Sequence, residues 1–236
     1  MSAKKVKVKI KKKKLKIKNL LVTALILLLL ALIAIDITRL PVKNIYITGN
    51  NILNDKAIIE LAELENYPPY INTYFNKIKT KLLTNEFIKN VNIKRTLSRK
   101  IYIEIEEYYP IFIYKDKLAL SSSKLIDNVY NIDYVPYIIN NIDEIYDKFV
   151  IKFNKIEKDT ILKISHIEYK PNEVDKERFL LYMTDSNYVY ITLSKIDKIN
   201  KYNSIVQELD NKKGIIYLDS GDYVEIKDWH NYSLII

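Results

Sequence analysis

Few residues in this 236-residue chain have the type and spacing for chemistry. Ser121-Ser122-Ser123-Lys124 has the S-x-x-K spacing in which a lysine amine activates a serine for acyl transfer on cell-wall peptides. Enzymes of that kind need further motifs, but no S-D-N occurs and Lys212-Lys213-Gly214 stands where K-T-G would be required. The expected role of Ser121–Lys124 is a polar loop beside a strand. The two histidines, His166 and His230, are far apart, and without Cys or H-E-x-x-H they do not form a metal motif. His166 falls in a strand-like stretch and is expected to be half-buried and structural. Glu104, Glu106 and Glu107 are expected on the solvent-facing or terminal side of a hairpin; as a glycosidase pair they would have to converge in a cleft. With Gly only at 49, 214 and 221, a Gly-rich phosphate loop is excluded. The expectation is a protein that is not an enzyme and carries no cofactor or metal, with a membrane-anchored cell-wall acyl-transferase or hydrolase as the alternative.

The formal charge of +9 could suggest nucleic acid, but its distribution argues otherwise. Residues 1–18 hold ten Lys and no acid; removing those ten from 38 Lys plus Arg leaves 28 against 29 Asp plus Glu, a net of −1 for residues 19–236. The basicity belongs to the tail. No disulfide framework is available without Cys, but about two hundred residues can bury a core without one.

Leu20–Ile37 is apolar apart from Thr23 and Asp36, with eight Leu, four Ile and one Val. Eighteen helical residues rise about 27 Å, close to the ~30 Å hydrocarbon core. Thirteen such side chains favour insertion by roughly 5 kcal/mol. The run exceeds a signal-peptide core, and Ala31 and Ala34 do not have cleavage-site spacing. A single uncleaved helix over 19–38 is expected. The cytoplasmic basic tail 1–18, with Lys11, Lys12, Lys13, Lys14, Lys16 and Lys18 nearest the bilayer, sets the orientation, and the remainder lies outside the plasma membrane.

After Pro41, alternation with Ile45 and Ile47 on one face predicts a strand ending at Gly49-Asn50. Asn54 or Asp55 caps a helix through Glu63, and Tyr67-Pro68-Pro69 breaks it. Ile71, Tyr74, Phe75, Ile78 and Leu82 form the apolar stripe of a second helix. Val91 and Ile93 open a strand; after a turn at Leu97–Lys100, Ile101, Ile103 and Ile105 alternate with Tyr102, Glu104 and Glu106. The order β-α-α-β-β makes an α+β domain over 41–112.

Three segments carry a resemblance: Ile45–Asn50 before a capped helix, Phe87–Arg95, and Ile101–Pro110 with its E-x-x-P ending. In that order, behind one membrane helix, the chain resembles the FtsQ/DivIB family of bacterial division proteins, whose first external module is a POTRA domain.

Beyond Ile111 the pattern is mostly short strands: Phe149–Phe153, Ile164–Tyr169, Arg178–Met183, Tyr188–Leu193, Ile215–Leu218 and Tyr223–Lys227. Turn residues separate them at Pro171-Asn172, Asp185–Asn187 and Asp219–Asp222. One amphipathic helix is expected at about Ser194–Asp210. The domain over 113–230 is therefore a mostly antiparallel β-domain with a late helix, followed by a C-terminal tail, 231–236. The resemblance implies that its last strands form an open edge to which a coiled-coil FtsB/DivIC-like protein adds a strand, with an FtsL-like companion, at the division septum. Carried onto this chain, the docking residues are Ser220, Gly221, Tyr223, Val224, Glu225, Ile226 and Trp229. On the residues alone, Tyr223–Lys227 reads sooner as an ordinary edge strand with Trp229 packed beneath it; the resemblance turns the balance toward docking.

Overall fold

The computed structural model describes residues 17–210 and 212–227. Helix α1, Ile17–Arg39, contains the expected apolar run, and none of its residues is buried by protein. It is long and apolar enough to cross a membrane. Lys18 lies in its first turn; Lys11, Lys12, Lys13, Lys14 and Lys16 lie outside the described residues.

Chain contacts divide the described residues into two compact units. The first takes residues up to Thr48 together with Asp55–Leu82 and Asn92–Glu104. Strand β1 (Asn44–Thr48) lies parallel to β3 (Lys100–Glu107), and β2 (Ile88–Arg95) follows in the order β1-β3-β2. Ile45 and Ile47 alternate with exposed neighbours in β1, and in β3 Ile101, Ile103 and Ile105 are buried between exposed Tyr102, Glu104 and Glu106. Helix α2 (Asp55–Leu61) places Asp55 in its first turn, where a carboxylate suits the helix dipole. Helix α3 (Phe75–Leu82) buries Ile78 and Leu82. The expected stripe is shorter at its start: Ile71 and Tyr74 are exposed, because Tyr70–Asn72 forms a separate 3₁₀ turn that Thr73 closes through its hydroxyl on Tyr70 O. Glu63 pairs with Lys77 at 3.4 Å and with Lys81.

The second unit comprises Gly49–Asn54, Leu83–Val91 and the chain from Ile105 onward. Its strands are β4 (Pro110–Tyr114), β5 (Lys117–Leu120), β6 (Leu125–Asp127), β7 (Tyr137–Ile138), β8 (Ile164–Tyr169), β9 (Arg178–Met183), β10 (Tyr188–Thr192), β11 (Gly214–Tyr217) and β12 (Tyr223–Ile226). They form one sheet in the order β12-β11-β10-β9-β8-β7-β4-β5-β6. Five pairings are antiparallel; β10/β11, β7/β8 and β4/β7 are parallel. Helices α4 (Tyr146–Phe153), α5 (Lys158–Ile161) and α6 (Tyr202–Glu208), with the 3₁₀ segment Leu193–Lys201, contribute to the core that also holds Phe112, Ile167, Phe179 and Val189. The late helix expected at 194–210 is thus a 3₁₀ run continued by α6.

Two expectations need correction. Phe149–Phe153 is helical. Read alone, Phe149, Ile151 and Phe153 alternate, but Ile151 is exposed, whereas Phe149, Val150 and Phe153 are buried at i, i+1 and i+4, the spacing of one helix face. Phe112 then packs edge-on against Phe149 and Phe153, with centroids 5.3 and 5.5 Å away. His166 is exposed, because the register of β8 on β9 shifts between Ile164 and His166. That irregularity resets the alternation, so Ile164 and Ile167 face the core while His166 stands between the rings of Tyr137 and Tyr182.

Candidate functional site

Strand β11 lies between β10 and β12, and among the described residues β12 is the last strand in the sheet order. Tyr223 pairs with Tyr217, Val224 with Ile216, Glu225 with Ile215 and Ile226 with Gly214. The ladder continues with Lys227 N–H on Lys213 O at 2.9 Å. Antiparallel alternation then turns the N–H and C=O groups of Val224 and Ile226 away from β11, toward the side of β12 on which no further strand pairs among the described residues. Close approach of β12 requires Gly214: a Cβ there would lie 2.3 Å from Glu225 O. The Gly214 N–H is fixed by the buried Asn187, whose Oδ1 accepts it at 2.9 Å.

The two faces of the edge differ. On one, the rings of Tyr190, Tyr217 and Tyr223 stack across β10, β11 and β12, with centroids 5.3 and 4.6 Å apart and planes within 21° and 13°. The Arg178 guanidinium lies 3.7 Å over Tyr190 at one end of this row. Tyr223, at the other end, is half exposed. On the other face, Val224 packs against the core beside a groove of about 280 Å³ whose lining includes Ile205, Ile216, Leu218, Lys198 and Lys201. A strand laid along β12 would send alternate side chains to these two surfaces.

The turn before β12 is held by charge. Asp219 is buried and accepts from Arg178 Nε at 2.6 Å, while Lys195 Nζ donates to Asp219 O. Gly221 takes φ +139°, a backbone that favours glycine. Lys198 bonds both oxygens of Asp222, at 2.7 and 2.5 Å, and holds that carboxyl below its usual range. Lys227, through a 2.5 Å hydrogen bond, and secondarily Tyr217 hold the Glu225 carboxyl below its usual pKa in the same way. Burial, and then the Glu225 contact, push the Tyr217 phenol up.

A family model described as POTRA domain, FtsQ-type, matches residues 40–108. The cell division protein DivIB of Bacillus subtilis is 30% identical over 193 residues, covering 78% of this chain and 73% of its own length. This chain belongs to the FtsQ/DivIB family. DivIB of Brevibacillus brevis is 27% identical over 189 residues, covering 75% and 71% of the two chains. The solved major extracytoplasmic domain of Geobacillus stearothermophilus DivIB gives a TM-score of 0.37 at 20% identity, over 44% of this chain and 96% of that one. Like its α+β fold, the membrane helix of this DivIB-family chain agrees with the sequence reading: it is a single-pass membrane protein.

Of the residues singled out in the sequence, Ser220, Gly221, Tyr223, Val224, Glu225 and Ile226 lie together in the last turn and strand, all exposed except half-buried Val224. Trp229, His230 and the tail 231–236 lie outside the described residues. Ser121 sits in the β5–β6 turn with its Oγ accepting the Tyr109 N–H, and Lys124 Nζ is 3.6 Å from Glu86. Among the described residues, no group of three or more His, Asp or Glu is placed to hold a metal ion. Sequence reasoning missed the Arg178–Asp219 pair and the tyrosine row; period-two Tyr188 and Tyr190 were a signal for the latter. It also treated Glu107 as a terminal acid, whereas its carboxylate accepts the N–H groups of Asn51, Ile52 and Leu53 at 2.8, 2.8 and 3.0 Å. The reason is a tertiary one: three successive amides in the Gly49–Asn54 loop converge on one anion.

Proposed function

We propose that this chain is a non-enzymatic scaffold of the bacterial division machinery that receives a partner strand on β12. Residues 1–18 stay cytoplasmic, α1 crosses the plasma membrane, and domains over 41–112 and 113–230 work outside it at the septum. The partner is an FtsB/DivIC-like coiled-coil protein accompanied by an FtsL-like one, and their joint role is to help control septal peptidoglycan synthesis. The observation that carries this reading is the terminal position of β12, with outward backbone groups between the Tyr223 ring and the groove beside Val224. Membership of a family of cell division proteins supports the cellular setting, and ten lysines before and within the first turn of α1 support the orientation.

Co-purification of the full chain from membranes tests the reading. Tyr223→Lys combined with Val224→Lys is expected to abolish recovery of the coiled-coil partners while the protein remains folded in the membrane. Undiminished recovery would sink the edge-docking claim.

A further inference from the structure

We propose that the hairpin tip between β2 and β3, together with the Tyr67–Tyr74 segment, is a membrane-docking surface on the bilayer face where α1 emerges. Leu97 inserts at the interface, and Arg95 and Arg99 meet lipid phosphates.

The placement follows from hydrogen bonds immediately beyond α1. Tyr70 N–H donates to Leu40 O at 2.9 Å, Val42 N–H to Pro68 O at 3.0 Å, and Lys43 N–H to Arg99 O at 2.8 Å. Arg99 Nη1 donates to Pro41 O at 3.1 Å. No free linker therefore separates the membrane helix from this end of the first unit. Asp36 marks where the apolar run ends, and Leu40 is four residues on, a rise of about 6 Å. A headgroup layer occupies roughly 5–8 Å on each side of the hydrocarbon. The segments tied to Leu40 and Pro41 thus lie at headgroup depth.

What they display there suits lipid better than water. Leu97 is 103% exposed, a large apolar side chain at a turn position that usually holds Gly, Asn, Asp or Ser. Ile71, Tyr74, Tyr67 and Leu40 are exposed nearby in sequence or on the same segments. A cavity of about 510 Å³ runs from Ile37 and Leu40 past Ile71 to Leu97, so the apolar surface is continuous with the membrane helix. Arg95, lying over the rings of Tyr70 and Phe75 at 5.4 and 5.1 Å, and Arg99 add the cations that phosphate headgroups recognise. Apolar tips, interfacial tyrosines and arginines together make an interfacial anchor.

The absence of Cys makes the test direct. The full-length protein carrying Ser98→Cys is labelled with an environment-sensitive fluorophore and placed in nanodiscs of phosphatidylglycerol and phosphatidylcholine. The same labelled protein in nanodiscs free of nitroxide lipid is the reference for quenching, and the fluorophore in water is the reference for its emission. The probe at 98 is expected to be blue-shifted and quenched by lipids bearing a nitroxide near the top of the acyl chain. Adding Leu97→Asp to the Ser98→Cys protein is expected to remove most of that quenching without altering the circular dichroism. The proposal is overturned by a probe at 98 that emits as in water and is not quenched, or by quenching indifferent to Leu97→Asp. A probe that is shielded but not quenched by lipid would also overturn it, since a protein neighbour would then cover the tip.

Discussion

Arg178 Nε lies 2.6 Å from Asp219 Oδ2, and both side chains are largely withdrawn from water, at 15% and 3% exposure. The pair links β9 to the turn that launches β12, across 41 residues of sequence. Breaking one side of such a pair strands a charge in a dry environment. Asp219→Asn and Arg178→Met are each expected to lower stability by about 3 kcal/mol. Urea unfolding of the purified full chain followed by circular dichroism measures this, and a change within error would show that the pair adds nothing.

Gly214→Ala tests the closeness of the last two strands. The backbone of residue 214 has no positive φ, so the effect arises from the Cβ meeting Glu225 O. The expected outcome is selective loss of amide protection in β12, read by hydrogen exchange, together with loss of partner recovery. The β8–β10 amides keep their protection, because their ladders do not involve Gly214.

Glu107→Gln keeps the size of the side chain but removes its charge. Hydrogen bonds to a charged group contribute about 1.5–3 kcal/mol each, against about 1 for neutral ones. Three amides share this carboxylate, and one amide oxygen cannot serve all three equally. A loss of about 2 kcal/mol is expected, and Glu107→Ala should cost more; thermal unfolding of both variants checks the order.

Acid should loosen the C-terminal edge. Asp222 and Glu225 both have carboxyls held below the usual range, by Lys198 and Lys227 respectively. A lowered folded value means the contribution is complete above the unfolded value, near pH 4, and is lost as pH falls through the folded one. Protection factors of β12 amides are therefore expected to be flat from pH 7 to about 5 and to drop below about 4. In Lys198→Met plus Lys227→Met the drop should shrink; an unchanged acid profile would point to other carboxylates.

Much of this molecule is legible from short-range pattern. The apolar run of α1 needs only composition, and the faces of β1 and β3 need only period-two alternation, because burial on one side is imposed residue by residue. The last strand and its turn could be found from Asp219–Asp222 and the alternation that follows. Phe149–Phe153 misled because five residues with apolar ends fit either period; Val150 and Ile151 decide it, and only the packed core shows which of the two is inside. His166 turned outward because a register irregularity in β8 is a property of two strands together.

By itself, the sequence determined one membrane helix, an α+β chain without thiol chemistry, and the segments that become β11 and β12. The tertiary structure decided that β12 ends the sheet among the described residues, that Glu107 gathers the amides of a loop more than fifty residues earlier, and that Arg178 reaches Asp219. Local periodicity reports which side of an element is buried. Strand order and distant charge pairs depend on how the whole chain closes on itself, and no window of neighbouring residues contains that information.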